Sequence, residues 1–210
     1  MNRVARRGLA SLGAVAMVLG TMALTSAGAG ADTVDRRAQI EKVRDGLNDP
    51  DPLVRLITLE DVAASKDTLV RSLALRQAIG IADPDLQAMA ARIFVSGLSS
   101  FSLDLADGKV TGGDPERAKE LLTALSQATL NFSFKEFSPA DGTFQASFQD
   151  LNRWMSGQVV GLTITYKTFW PNFANCQTSL RIGEALDLSG TIVCQGGDQY
   201  VTATVSRKFY

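Results

Sequence analysis

The sequence predicts an α+β protein: an antiparallel helical region over 32–128, then a small antiparallel β domain over 129–210, built as a sandwich or open barrel with one disulfide. Three observations predict it. Asp51-Pro52, Asp83-Pro84 and Asp114-Pro115 recur at near-equal spacing through the first half. The apolar period changes from helical to two near Asn131. In the last third, NCQTSLRIGEALDLSGTIVC folds back on itself about Ala185, so that Cys176 meets Cys194.

The chain opens with Arg3, Arg6 and Arg7, an apolar run from about Leu9 to Leu24, and then small residues. That is the build of a secretory signal peptide over 1–31, with cleavage after Ala29 or Ala31. Arg6-Arg7 is a fragment of a twin-arginine signal without its flanking residues. No later stretch is long and apolar enough to span a membrane. The expected location is periplasmic or secreted, and an export route permits a disulfide.

Each Asp-Pro pair is a helix start. The aspartate accepts hydrogen bonds from unpaired amides of the first turn, and proline loses nothing there because its missing N–H has no partner in a helix. Ile40, Val43 and Leu47 suit a first amphipathic helix. After Asp51, Leu53, Leu56, Ile57 and Val62 are spaced for one face. Asp67 caps a helix carrying Leu69, Val70, Leu73 and Ile79, which stops at Gly80. After Asp83 come Leu86, Met89, Ala90 and Ile93, and after Asp114 come Ala118, Leu121, Leu122 and Leu125. Between these last two lies an irregular stretch with a short strand at Phe101, Leu103 and Leu105 and an Asp107-Gly108 turn.

Over roughly Asp49 to Phe94, the start Asp51-Pro52-x-Val54-Arg55, the paired second helix and the new Asp83-Pro84 start resemble a HEAT-type helical repeat. The third start lacks a Val-Arg pair. The resemblance implies a protein-contact scaffold. Well-capped amphipathic helices without a repeat account for the same residues.

In the β half, Phe132 and Phe134 precede an SPADG turn, and Phe144, Ala146 and Phe148 follow it. Leu151 to Met155 reads as a crossing, and GQVVGLTITYKTF as one long strand with Val160, Leu162, Ile164 and Tyr166 on a face. In the hairpin, Thr178 faces Ile192, Leu180 faces Gly190 and Ile182 faces Leu188, all on the cysteine face. A Gly196-Gly197-Asp198 turn leads to a strand with Val201, Ala203 and Val205 inward. That makes about six strands.

The absence of histidine excludes a Ser–His–Asp triad, a Cys–His pair and a His-ligated zinc. Two cysteines are too few for an all-thiolate metal site. No cofactor is implied, no basic cluster marks a nucleic-acid interface, and the chain reads as a non-enzyme. Asp49 with Asp51, and Asp83 with Asp85, could pair for glycosidic chemistry, but helix capping already explains them. The candidate ligand site is the connection bearing Tyr166, Phe169, Trp170 and Phe173, where aromatic faces beside Asn172 and Asn175 suit a glycan or peptide. Bulk core packing is the competing role for those rings. The leading expectation is an exported interaction protein that contacts an unknown protein partner through its helical half; the alternative is a β domain binding carbohydrate or cell-wall ligand at 166–175.

Overall fold

The computed structural model describes residues 28–116, 119–120, 123, 129–148, 153–170 and 173–207; at 28–32, 129, 148, 153, 169–170 and 173–174 it describes the backbone alone. The leader over 1–27 therefore lies outside the described residues, as does most of the helix expected after Pro115. Residues 115–116, 119–120 and 123 are helical, and Asp114 accepts a 3.0 Å bond from the Glu116 amide.

Four helices come first: α1 (Gly28–Leu47), α2 (Pro52–Ala63), α3 (Thr68–Gly80) and α4 (Pro84–Ser96). Helix α1 takes in both expected cleavage positions. The capping aspartates work as their chemistry requires. Asp51 accepts from the Leu53 amide, Asp67 from Leu69 and Val70, and Asp83 from Asp85 and Leu86. Asp49 in turn accepts from the Asp51 amide. The two acid pairs weighed for catalysis thus contain three carboxylates engaged at helix starts, and the fourth, Asp85, lies in the first turn of α4.

Polar contacts between helices fix their directions. Arg36 pairs with Asp67 at 2.8 Å, and Gln77 Nε2 donates to the Arg44 carbonyl at 3.2 Å, so α1 and α3 run side by side in one direction. Arg55, in the first turns of α2, pairs with Asp83 at the start of α4 and also donates to the carbonyls of Asp49 and Pro50. Helices α2 and α4 are therefore also parallel neighbours, and the pairs α1/α3 and α2/α4 form two packed layers. Gly46 lets α1 and α2 touch, since a β-carbon there would meet Thr58 Oγ1 at 2.5 Å.

Eight strands follow: β1 (Ser100–Thr111), β2 (Thr129–Phe137), β3 (Thr143–Phe148), β4 (Arg153–Val160), β5 (Thr163–Trp170), β6 (Phe173–Ile182), β7 (Leu188–Gly196) and β8 (Gln199–Arg207). Each pairs antiparallel with the next, and β8 returns to β1, closing the sheet as a barrel. Apolar residues point in. Phe101 and Phe132 stack at 4.8 Å, Tyr166 meets Phe132 edge-on at 5.2 Å, and Phe134 meets Phe144 at 5.2 Å. The outward positions are mostly polar, the reverse of a lipid-facing barrel. Among the described residues no helix is long and apolar enough to cross a membrane.

The cross-linked hairpin has the register read from sequence: Cys176 opposite Cys194, Thr178 opposite Ile192, Leu180 opposite Gly190, Ile182 opposite Leu188. The cysteines are bonded, with Cα atoms 4.0 Å apart. Leu180 fits across from Gly190 because a β-carbon there would strike the Ser179 carbonyl oxygen at 1.9 Å.

Five expectations change, the first being the strand count, which is eight rather than about six. The first strand, β1, falls inside the span read as helical, and Asp107-Gly108 makes a bulge rather than a turn. Asp107 takes φ 51°, the register slips between Ala106 and Lys109, and the strand continues to Thr111. The long strand is two, folded at Gly161-Leu162, where Gly161 takes φ 55° and leaves Val160 facing solvent. Residues Arg153 to Met155, read as part of a crossing, belong to β4. Finally, α2 buries Leu59 and Val62 and exposes Leu53 and Ile57, while α3 buries Val70, Ala74, Leu75, Ala78 and Ile79 and exposes Leu69 and Leu73. A helix in a two-layer packing can bury one stripe, and the Arg55–Asp83 contact turns the 55–59–62 side of α2 inward.

Candidate functional site

Two surfaces stand out, one on each part of the chain. On the helices, Leu53 is 61% and Ile57 50% exposed, with Val54 beside them. On a 3.6-residue period Leu53 and Ile57 point away from Leu59 and Val62, with Val54 on the flank between the two stripes. Leu69 and Leu73 are likewise opposite the buried stripe of α3. Among the described residues these side chains have no core to serve, and within each helix they fall one turn apart.

The second surface is a groove of about 820 Å³ over the outer wall of β2–β6. Glu136, Gln145, Ser156, Lys167 and Gln177 lie directly opposite one another across the five strands, and all are exposed and line it. Thr143, Gln158 and Thr165 form a second row beside them. The wall folds in at Gly157. A β-carbon on this residue would meet Phe144 Cζ at 2.3 Å and the Thr165 carbonyl oxygen at 2.6 Å, so the ring of the residue across from it occupies the place of its side chain.

One end of the groove is the β2–β3 turn, 138–142. The Ser138 amide donates to the Thr143 carbonyl, and Gly142, at φ 71°, donates to Ser138. The Thr143 amide, with the Ser138 and Thr143 hydroxyls, holds the Asp141 carboxyl down to about 2. From the other side Arg92 of α4 donates to the carbonyls of Pro139 at 3.3 Å and Ala140 at 2.9 Å, beside a smaller cleft of about 370 Å³. The helical part is thereby tied to the turn that frames the groove.

Of the aromatic residues singled out in the sequence, Tyr166 is inside the barrel, 2% exposed. Its phenol and the opposing Thr178 hydroxyl are buried without a hydrogen-bond partner of normal geometry among the described residues. Burial pushes the Tyr166 phenol far up, weakly opposed by the Thr178 hydroxyl. The Trp170 and Phe173 backbones form the last pair before the β5–β6 connection, and Phe169 lies at a register slip between Thr168 and Trp170. The side chains of Phe169, Trp170 and Phe173 lie outside the described residues, as does Asn172. The four residues therefore divide, with Tyr166 turned into the core.

The polar groove row was missed in the sequence because its members come from five strands whose register was not in hand. Gly157, flanked by Ser156 and Gln158, was the available signal. Trp154, assigned to a crossing, is half exposed on the outer wall with Lys135 Nζ 3.2 Å from its ring centroid. Among the described residues no group of three or more Asp, Glu or Cys side chains could hold a metal ion.

Comparison with family models, with characterised proteins and with solved structures finds no match to this chain.

Proposed function

We propose that this is a non-enzymatic binding protein of the envelope or extracellular space, and that it contacts a protein partner through its helical part. The observation that carries the reading is the apolar stripe of Leu53 and Ile57 on the outward face of α2. Burying a leucine or isoleucine against a partner contributes about 1.5–3 kcal/mol per side chain, so Leu53 and Ile57 alone could anchor a contact. The layered helices support a HEAT-like arrangement. Arg55 of one Asp-Pro start pairs with Asp83 of the next, which joins the two helix starts. The disulfide and the polar outer wall of the barrel support a role outside the cytosol.

The test is capture of a partner from an envelope fraction by mild cross-linking, with the wild-type protein beside a Leu53→Ser/Ile57→Ser variant. Recovery of one defined protein by the wild type, lost with the variant while the circular dichroism melt is unchanged, is the expected result. Equal recovery by both would remove α2 from the contact.

A further inference from the structure

We propose that the groove on the outer wall of β2–β6 is a binding site for an uncharged, hydroxyl-rich chain, a neutral oligosaccharide. This inference stands apart from the helical contact and uses different residues.

The argument begins with register. Neighbouring strands lie about 4.8 Å apart, so the row from Glu136 to Gln177 offers a polar side chain at each of four such steps, roughly 19 Å end to end. Gln145 and Ser156 stand inside the row and Gln177 ends it beyond Lys167, with Thr143, Gln158 and Thr165 one row away. Amides and hydroxyls both donate and accept. A ligand that matches them must itself carry donors and acceptors at short intervals, as sugar hydroxyls do. The two charges in the row, Glu136 and Lys167, are of opposite sign, and with Lys135 beside Trp154 the site carries one net positive charge, too little to select a polyanion.

The same wall supplies an apolar platform. Trp154 lies two residues before Ser156 on β4, hence on the same outward face. It is 51% exposed, and Lys135 covers one side of its ring at 3.2 Å. An exposed indole held by a cation is a surface on which the C–H face of a sugar ring can lie.

Peptide is the less suited occupant. Extended peptides gain most from adding a strand to a free sheet edge, and the pairing of β8 with β1 leaves this sheet without one. The outward side chains along the row are polar, and of the aromatic residues that border the groove Phe144 and Tyr166 are turned into the core, which leaves little for the apolar side chains of a peptide.

The concavity is a built feature. Gly157 is what lets the Phe144 ring close against the wall. A β-carbon there would point inward onto the Phe144 ring and the Thr165 carbonyl oxygen, so this curvature of the wall requires glycine.

The experiment uses the full chain with Trp170→Phe, leaving Trp154 as its remaining indole. Hexasaccharides of β-1,4-glucose, β-1,4-xylose, α-1,4-glucose and β-1,4-N-acetylglucosamine are titrated while Trp154 fluorescence is followed, and calorimetry checks each. Polygalacturonate and a polar, uncharged peptide of similar length are the comparison arms. The expected result is saturable binding of at least one neutral hexasaccharide, weakened tenfold or more by Gln145→Ala/Gln177→Ala and by Trp154→Ala. These outward side chains can be removed without unfolding the barrel, and a melt of each variant verifies it. The proposal is overturned if no neutral hexasaccharide binds at millimolar concentration, if binding survives both variants undiminished, or if only polygalacturonate or the peptide binds.

Discussion

Replacing Cys176 and Cys194 together by alanine should lower stability by about 3 kcal/mol. The bond closes a loop of 18 residues, and the chain-entropy relation gives about 3 kcal/mol at 25 °C for a loop of that size. For a chain of this length each kcal/mol moves the melting temperature by about 2–4 °C, so the midpoint should fall by about 6–12 °C. Alanine also removes two sulfur atoms from a fully buried face, where Cys176 is 1% and Cys194 0% exposed. Reducing the wild-type protein keeps that volume and breaks only the bond. Thermal melts followed by far-UV circular dichroism, on oxidised wild type, reduced wild type and the double variant, separate the two terms. Reduction alone should account for most of the loss, with the variant slightly lower again. If the reduced protein melts within about 2 °C of the oxidised one, the entropic reasoning fails, and the unfolded chain must hold this hairpin together without the bond.

Three more outcomes follow from the packing. Leu59→Ala should cost about 2–5 kcal/mol, whereas Leu53→Ala, one and a half turns away and exposed, should stay within about 0.5 kcal/mol; urea titration compares them. Gly157→Ala should destabilise by about 1–3 kcal/mol through overpacking against Phe144, while Gly161→Asn, at a positive φ with open space around it, should be tolerated. Asp67, Asp83 and Asp141 have folded carboxyls held below their ordinary range. The causes are, first, the Val70 amide for Asp67, the Arg55 guanidinium for Asp83 and the Thr143 amide for Asp141. Stability from a depressed carboxyl is fully present above the unfolded value of about 3.9 and is lost as pH falls through the folded one. The melting temperature should therefore be flat with respect to these groups above about pH 5 and fall from about pH 4 downward, with the Asp141 carboxyl titrating at about 2. In Asp83→Asn the fall should be shallower.

What the sequence revealed, and what it hid, follows from the range of each interaction. Helix starts were readable because Asp51, Asp67 and Asp83 act on amides two or three residues away. The hairpin register was readable because the two cysteines and a period of two constrain the same short stretch. Barrel closure was not. It depends on Asp104 through Thr111 meeting Tyr200 through Ser206, and much of that half of β1 is exposed and polar, so no apolar alternation announces it. The fold at Gly161 was hidden by apolar residues on both sides of it. The inward faces of α2 and α3 were misjudged for a related reason. Both helices carry apolar residues on two stripes, and the choice between them was made by Arg55 reaching Asp83 and by the other layer, not by local periodicity. The groove shares this origin, since its row exists only once five strands are in register.

Closure between the first and last strands also governs how the chain can be made. Strand β1 leaves the ribosome long before β8, and its partner residues are about a hundred positions away. Such distant pairing makes for slow folding, and in the interval β1 and the newest strand both present unpaired amides and carbonyls. Only the arrival of Gln199–Arg207 ends that exposure. A chain cut short before β8 would keep two open edges where the intact protein has none, and edge-to-edge aggregation is its expected fate.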